Sequence, residues 1–181
     1  LIKFHEKGLL VREEHPIMWC PKCRTALAKA EVGYIEKSSE LYFLKLGELE
    51  IATTRPEFLP ACIAVVVHPD DKRYKKLVGQ KITLPIHNRE VPIITDKEFD
   101  SEFGTGAVYL CTLGDEQDIR CQKRHKLEAI SIINDDGTLN DNAGFIKGMK
   151  IENGRSAVVE KLKGMGLITK IEPLTHNILS H

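Results

Sequence analysis

Two segments of this 181-residue chain carry the residue types best suited to chemistry. Residues 52–57 read Ala-Thr-Thr-Arg-Pro-Glu, and residues 103–107 read Phe-Gly-Thr-Gly-Ala. The second segment is soon followed by residues 115–118, Asp-Glu-Gln-Asp. Threonine hydroxyls donate and accept hydrogen bonds, glycines let the backbone approach a ligand closely, and carboxylates hold an ammonium group. Together these groups suit the binding of an aminoacyl ester.

The two aspartates of the second region also have a structural interpretation. Asp115 and Asp118 are spaced as the N-cap and the third residue of a helix predicted over 116–125, where carboxylates complement the exposed amides and the helix dipole. Thr53 and Thr54 have the β-branched side chains of ordinary strand residues. Because a helix N-terminus presents its first residues to a pocket, the capping role and a ligand-binding role are compatible.

The elements that must position these residues alternate in type. We expect strands at 32–36, 41–46, 49–53, 63–67, 82–85, 91–95, 106–110, 130–133, 167–171 and 177–179. We expect helices over residues 1–8, from Pro56 to about Cys62, and at 72–78, 116–125 and 156–165. A hairpin is predicted from residues 9–12 and 17–19, and a turn at 135–137. The pattern predicts an α+β fold with a mixed, barrel-like β-sheet flanked by helices.

Composition narrows the function classes. Lys and Arg number 26, as do Asp and Glu, so the chain lacks the basic field that drives non-specific nucleic-acid binding. We find no apolar run long enough to span a membrane and no signal peptide, which makes the cytoplasm the expected location. Five cysteines without a repeating framework indicate reduced thiols and at most one metal site.

Three stretches carry a family resemblance: WCPKCRTALAKAEVGY at 19–34, IATTRPEFLPAC at 51–62, and FGTGAVYLCTLGDEQD at 103–118. On these the chain resembles the editing domains of archaeal-type valyl-tRNA synthetases, which are inserted in the catalytic domain of class I synthetases. The resemblance implies the fold shared by valyl, leucyl and isoleucyl editing domains. It also implies hydrolysis of mischarged threonyl-tRNA(Val) by direct water attack, with no cofactor for that reaction, in a monomer.

The resemblance assigns roles residue by residue. Asp118 falls at the family's editing aspartate and is expected to anchor the substrate ammonium. The catalytic set implied is Asp118, Asp115, Thr53 and Thr54. The residues expected to bind substrate or tRNA are Arg55, Phe103, Gly104, Thr105, Gly106, Tyr109 and Cys111. For Arg55 an ion pair with a local carboxylate, and for Phe103 a place in the core, remain as alternatives.

The chain departs from the bacterial pattern after the Gly-Thr-Gly turn. Tyr109 and Cys111 stand where bacterial enzymes carry lysine and threonine, and a tyrosine replaces a hydrogen bond but not a charge. No histidine lies at a telling distance in sequence from Cys111, which argues against a thiol nucleophile. The histidines at positions 68, 87 and 125 remain candidate bases only if the fold brings them to the site.

Cys20 and Cys23 form half of a zinc site, the Cys-x2-Cys knuckle. The resemblance places the missing ligands beyond His181, and within the chain only His176 and His181 are candidates. We expect residues 1–30 to form an N-terminal linker with this knuckle, 31–175 the editing domain, and 176–181 a return segment toward the parent catalytic domain.

Two other functions stay open at this point. An isoleucyl-type editing domain would hydrolyse valyl-tRNA instead, and the two activities are separated by comparing the two esters. A non-catalytic zinc-knuckle module would bind RNA through basic and aromatic clusters. Four basic residues are the local candidates for such a patch: Lys72, Arg73, Lys75 and Lys76. Neutral net charge and 6% aromatic residues argue against that module and predict weak tRNA binding by the isolated domain.

Overall fold

The computed structural model describes residues 1–12 and 15–180. The strands are β1 (Trp19–Cys20), β2 (Thr25–Ala26), β3 (Gly33–Leu46), β4 (Leu49–Thr53), β5 (Cys62–Val67), β6 (Lys81–Thr83), β7 (Glu90–Thr95), β8 (Ala107–Cys111) and β9 (Ile168–Ser180). The α-helices are α1 (Ile2–Glu6), α2 (Glu116–His125) and α3 (Ile151–Gly164). Short 3₁₀ helices cover Lys29–Glu31, Pro56–Ala61 and Asp141–Ile146. Among these described residues no helix has the length and apolar character needed to cross a membrane.

The strands form separate sheets, and the α+β class is confirmed. Strands β1 and β2 form a two-stranded sheet, a three-stranded antiparallel sheet has the order β4-β3-β9, and a four-stranded sheet has the order β6-β7-β5-β8. In the four-stranded sheet β5 pairs parallel to β7 and antiparallel to β8. The edge strands β4 and β8 lie next to each other without a hydrogen-bonded ladder, so the described strands curve around the core without closing into a barrel.

The core lies between these sheets and α3. All six residues of β5 are buried, as expected for a central strand covered on both faces. From α3, Val158, Val159 and Leu162 pack into the main hydrophobic cluster together with residues of β3, β4 and β8. The helix therefore supports the part of the molecule where β4 and β8 meet, and those two strands carry the segments singled out in the sequence.

Long pairing between β3 and β9 corrects the predicted strand boundaries. The strands predicted at 32–36 and 41–46 are one strand, as are those at 167–171 and 177–179. The pairing extends from Gly33 opposite Ser180 to Leu44 opposite Ile168. Polar residues such as Ser38 and Ser39 do not break the strand, because this part of the ribbon is largely exposed and the ladder satisfies its backbone groups.

Several local predictions were wrong. Residues 72–79 form successive turns instead of a helix, although Tyr74 and Leu77 of this segment pack against the main hydrophobic cluster. The strand predicted at 130–133 is reduced to a single bridge between Ile133 and Leu139. The predicted hairpin of 9–12 with 17–19 is absent from the described residues, and Glu13 and Glu14 lie outside them. Instead β1 pairs with β2 across the Cys-x2-Cys turn.

Candidate functional site

Asp118 lies in the first turn of α2 and is only 8% exposed. The pKa of its carboxyl group is raised to about 7, first by burial and second by the nearby charge of Asp115. Hydrogen bonds with Cys111 and the positive charge of Arg55 oppose this rise. At neutral pH the carboxyl group is therefore divided between its protonated and charged forms, and a ligand ammonium beside it would favour the charged form.

Asp115 is the N-cap of α2, as predicted. Its side-chain Oδ1 accepts a hydrogen bond from the backbone N of Asp118 at 2.8 Å. This bond satisfies one of the amides left unpaired at the helix start. It also fixes the backbone of Asp118, so the two carboxylates that the sequence placed together are held in a defined relation by the cap itself.

Residues that precede α2 pack closely against the side chain of Asp118. A Cβ atom added at Gly114 would lie 2.3 Å from Asp118 Oδ2 and 2.6 Å from Cys111 Sγ, so only glycine fits there. The thiol of Cys111 donates to Asp118 Oδ2 over 3.4 Å. Burial, followed by the charge of Asp118, raises the pKa of Cys111 well above its usual value. The thiol is therefore a protonated donor at neutral pH and is unsuited to nucleophilic attack.

Thr53 and Tyr109 clamp the backbone of Arg55. The hydroxyl of Thr53 accepts a hydrogen bond from Arg55 N at 2.9 Å and donates to Tyr109 Oη at 3.1 Å. Tyr109 in turn donates to the carbonyl of Arg55. Both side chains are buried, so their hydroxyl groups are engaged within the protein. This network joins the end of β4 to β8, and it sets the position from which the Arg55 side chain extends.

The guanidinium group of Arg55 interacts with three neighbouring side chains. It lies 3.8 Å from the ring centroid of Phe58, and its Nε lies 3.7 Å from Glu57 Oε1. Its charge also lowers the pKa of Asp118. The local ion pair considered from the sequence is present, and the same positive charge acts on the candidate ammonium anchor.

The Gly-Thr-Gly turn lies directly against the Thr-Thr-Arg segment. Gly104 has a positive φ of +59°, and a Cβ there would lie 2.7 Å from the Cβ of Ala52. The hydroxyl of Tyr74 donates to the carbonyl of Thr105 at 2.6 Å, which fixes the turn from the other side. Phe103 is 49% exposed, so the alternative core role was wrong and its ring is available to a ligand.

Thr54 faces a different space. It lines an open groove of about 520 Å³ between β3 and α3, with Tyr42 and Arg155 among the other lining residues. Asp118 does not line this groove. The fold therefore gathers Thr53, Arg55, Tyr109, Cys111, Asp115 and Asp118 around one region, whereas Thr54 lines the groove between β3 and α3.

The candidate histidine bases have other partners. His68 Nδ1 accepts a hydrogen bond from Asp70 N at 3.2 Å, and burial lowers the pKa of His87. His125 Nε2 lies 3.1 Å from Asp96 Oδ2. Within the described part of the chain, no hydrogen bond joins a histidine to Asp118.

Asp96, Cys121 and His125 bring three potential metal-ligand atoms within 4.8 Å of one another. Arg124 already donates from Nη1 to both oxygens of Asp96, and Glu98 N donates to Oδ1 at 3.0 Å. A guanidinium in this position repels a cation. The cluster is therefore a structural ion pair that ties the end of α2 to the loop after β7.

Loss of this ion pair gives a stability prediction. Burial acts to raise the pKa of Asp96, but hydrogen bonds outweigh it and the pKa is lowered overall. The pair therefore stabilises the fold above the ordinary pKa of the carboxyl group and loses this effect as pH falls. Asp96→Asn is expected to lower the free energy of unfolding at pH 7 by about 2 kcal/mol, because Arg124, the partner left behind, is 41% exposed and keeps its pairing with Glu98. Urea unfolding at pH 7 and pH 3 checks this, and the difference shrinks at pH 3.

Asp141 provides the matched control for that measurement. Its side chain is 81% exposed and pairs with Lys147 at 2.5 Å. An exposed pair of this kind contributes less than about 1 kcal/mol. An equal loss of stability from Asp141→Asn and Asp96→Asn would contradict the role given to the buried pair.

The Cys-x2-Cys turn has the geometry of half a metal site. Cys23 N donates to Cys20 Sγ at 3.4 Å, and the proximity of Cys20 raises the pKa of Cys23. Two nearby thiolates repel each other, and a bound cation relieves that repulsion. No third His, Cys, Asp or Glu ligand joins them among residues 1–12 and 15–180. His176 Nε2 lies 3.3 Å from Ser39 Oγ, and His181 is outside the described residues.

Three residues of the site were missed by the sequence interpretation. Gly114 directly precedes the N-cap residue Asp115. The only sign in the sequence of its contact with Asp118 is that a glycine stands next to the start of this helix. Glu57 stood in a quoted motif but received no role, although its side chain is fully buried. Arg155 gave no signal, because its partner Glu57 lies 98 residues away in sequence.

The comparisons with known proteins decide the family. A family model described as tRNA synthetases class I (I, L, M and V) matches residues 1–173. The chain belongs to the class I tRNA synthetases. Within that family it is 58% identical to Valine–tRNA ligase of Pyrococcus horikoshii over 187 aligned residues, and 54% identical to that of Thermococcus kodakarensis. Both alignments cover 100% of this chain and 21% of the relative.

A solved structure of the family has a related fold. The crystal structure of the ternary complex of Agrobacterium radiobacter K84 agnB2 LeuRS-tRNA-LeuAMS matches with a TM-score of 0.52 and 15% sequence identity. The match covers 81% of this chain and 20% of that chain. The resemblance to the synthetase family stated from the sequence is confirmed. The chain spans about a fifth of the length of the curated relatives that it matches.

Proposed function

We propose that this chain is the editing region of a valine–tRNA ligase and hydrolyses the ester of threonyl-tRNA(Val). The observation that carries the proposal is the buried carboxylate of Asp118, which the N-cap Asp115, the thiol of Cys111 and the close approach of Gly114 hold in place near the positive charge of Arg55. The high identity to valine–tRNA ligases over the whole chain supports the same assignment. The proposed partners are the charged 3′ end of tRNA(Val) and the remainder of the ligase, and the proposed location is the cytoplasm.

The chemical need for such a site follows from the similarity of two amino acids. Valine and threonine are nearly isosteric, and an apolar pocket does not strongly reject a side chain that replaces a methyl group with a hydroxyl group. A second site that hydrogen-bonds the hydroxyl group excludes valine, because valine leaves buried polar groups unpaired at a cost of about 1–3 kcal/mol each. Asp115 is the proposed acceptor for the threonine hydroxyl group; its side chain is exposed in the free chain, and the bound ester would bury it.

In the proposed mechanism Asp118 anchors and does not abstract a proton. Its carboxylate pairs with the α-ammonium of the amino acid, and this places the ester carbonyl for attack by water. The N-terminus of α2 stabilises negative charge developing on the carbonyl oxygen through its amides and dipole. Cys111 remains a protonated donor to Asp118, so no acyl-thiol intermediate forms.

Deacylation assays on matched esters test the function. The ligase that carries this chain is incubated with threonyl-tRNA(Val) and, separately, with valyl-tRNA(Val), and the surviving ester is measured over time. We expect threonyl ester to be cleaved about 5- to 150-fold faster than valyl ester, which corresponds to one unpaired buried group. Preferential cleavage of valyl ester would instead indicate isoleucyl-type editing. Binding of tRNA without cleavage of either ester would indicate an RNA-binding module.

A structural metal is proposed for the Cys-x2-Cys turn. Cys20 and Cys23 would supply two thiolate ligands to zinc, with the remaining ligands coming from outside the described residues. The metal would stabilise the β1–β2 turn and take no part in ester hydrolysis. Metal analysis of the purified ligase before and after Cys23→Ser tests this, and an unchanged zinc content would contradict it.

A further inference from the structure

Glu57 is a fully buried carboxylate held by an arginine from a distant part of the chain. Its side chain is 0% exposed, and Arg155 of α3 donates from Nε to Oε2 at 2.9 Å and from Nη2 to Oε1 at 2.7 Å. The hydrogen bonds to Glu57 also raise the pKa of Arg155. This planar, two-bond pairing fixes the carboxylate in orientation as well as in position.

The same carboxylate reaches the candidate active site. Glu57 Oε1, which accepts from Arg155 Nη2, also lies 3.7 Å from Nε of Arg55. Glu57 is therefore located between two guanidinium groups, one on α3 and one beside Asp118. Phe58 supports the face of the Arg55 guanidinium at 3.8 Å, and the backbone of Arg55 is clamped by Thr53 and Tyr109.

We propose that Glu57 and Arg155 are positioning residues for the editing reaction. Together they hold the guanidinium group of Arg55 in the place where it contacts the aminoacylated 3′ end of the tRNA. This inference rests on the editing function proposed above. Neither residue touches the substrate. Arg155 sets the position of Glu57 Oε1, and Glu57 Oε1 sets the direction of the Arg55 side chain.

The chemistry explains why arginine is needed at position 155. A lysine would keep a positive charge near Glu57, but its ammonium group is a point charge that does not impose the planar two-bond geometry. With lysine, the buried charge of Glu57 stays partly compensated while its orientation is released. Arg155→Lys is therefore the variant that separates positioning from simple charge balance.

The effect is measured on the complete ligase with threonyl-tRNA(Val). Arg155→Lys is expected to lower kcat/KM for ester hydrolysis about tenfold, as expected when a binding group is no longer held in place. In an Arg55→Met background the same change is expected to alter kcat/KM less than twofold, because the group that it positions is gone. The loss of thermal stability from Arg155→Lys should persist in both backgrounds, which distinguishes positioning from a purely structural role.

Folding and specificity are controlled separately. If Arg155→Lys is poorly folded, the double variant Glu57→Gln with Arg155→Met leaves no unpaired buried charge and is tested in its place, with the same expected loss and the same dependence on Arg55. Lys163→Met removes an exposed cation from the same helix and is expected to hydrolyse the ester at the unaltered rate.

The outcomes separate this inference from the proposed function. Equal and independent losses from Arg155→Lys in both backgrounds, or no loss while Asp118→Asn slows hydrolysis, would overturn the positioning role and leave the editing function intact. If the unaltered ligase does not hydrolyse threonyl-tRNA(Val), the proposed function itself fails. A loss confined to the background that contains Arg55 supports the inference.

Discussion

Asp118→Asn is expected to lower the rate of threonyl-tRNA(Val) hydrolysis by one to two orders of magnitude while making the protein more stable at alkaline pH. Asparagine keeps the shape of the side chain but removes the charge that pairs with the substrate ammonium. A charge-assisted bond of this kind is worth about 1.5–3 kcal/mol, so kcat/KM should fall by about 10- to 150-fold. Single-turnover deacylation with saturating enzyme measures this loss.

The stability gain follows from the sign of the pKa change. Burial raises the pKa of Asp118 to about 7 from the ordinary value of 3.8. Between these two values the folded state holds a proton that the unfolded chain releases, so stability falls as pH rises through this window. Asp118→Asn removes that cost, which is on the order of 4 kcal/mol at pH 8. Urea unfolding of both proteins at pH 4 and pH 8 should show the gain only at pH 8.

The same pKa gives the pH profile of the reaction. For the unaltered ligase, kcat/KM should rise with pH up to about 7 as Asp118 becomes charged. It should fall again near pH 8, where the substrate ammonium loses its proton. Spontaneous ester hydrolysis is subtracted at each pH. A profile that does not change between pH 5 and pH 7 would contradict the anchoring role.

Gly114→Ala is expected to disable the site by displacing Asp118. The added Cβ would lie 2.3 Å from Asp118 Oδ2 and 2.6 Å from Cys111 Sγ, so the carboxylate must move. A displacement of about 1 Å lowers the rate about a hundredfold, and overpacking of this kind costs about 1–3 kcal/mol of stability. Deacylation assays and urea unfolding of the variant measure the two effects.

Gly164→Ala is the matched control for this substitution. Gly164 lies at the end of α3, and a Cβ there would meet nothing within 4 Å. Alanine in a helix is favoured over glycine by up to about 1 kcal/mol, so this variant should be as stable as the parent or slightly more stable, and fully active. Retained hydrolysis in Gly114→Ala would show that Asp118 tolerates displacement and would contradict its role as a fixed anchor.

The parts of the site that could be predicted are those encoded locally. Asp115 and Asp118 have the spacing of a helix cap, and the hydrogen bond between them confirms it. Pro56 correctly marked the start of a short helix, although its type is 3₁₀. The family motifs also predicted that the Thr-Thr-Arg and Gly-Thr-Gly segments belong together, and the contact between Ala52 and Gly104 now shows how they meet.

The remaining parts depend on contacts that no local pattern encodes. The pairing of Glu57 with Arg155 joins residues 98 positions apart, and neither neighbourhood in sequence indicates the other. The basic segment at 72–78 was assigned a helix from its preceding aspartates and its final glycine. The segment forms turns despite these capping signals. Arg73 pairs with Asp71 and donates to the carbonyl of Ser101, and these bonds fix the turns against the loop around Ser101.

The pairing of β3 with β9 has a consequence for synthesis of the protein. Roughly 120 residues separate the end of β3 from the start of β9, and a ribosome adds about 5–20 residues per second, so the interval is on the order of 10 s. During this time β4 covers one edge of β3, while the other edge has unpaired backbone groups that invite association with other nascent chains. Charged residues at 36, 37 and 40 along the strand counteract such association until β9 emerges.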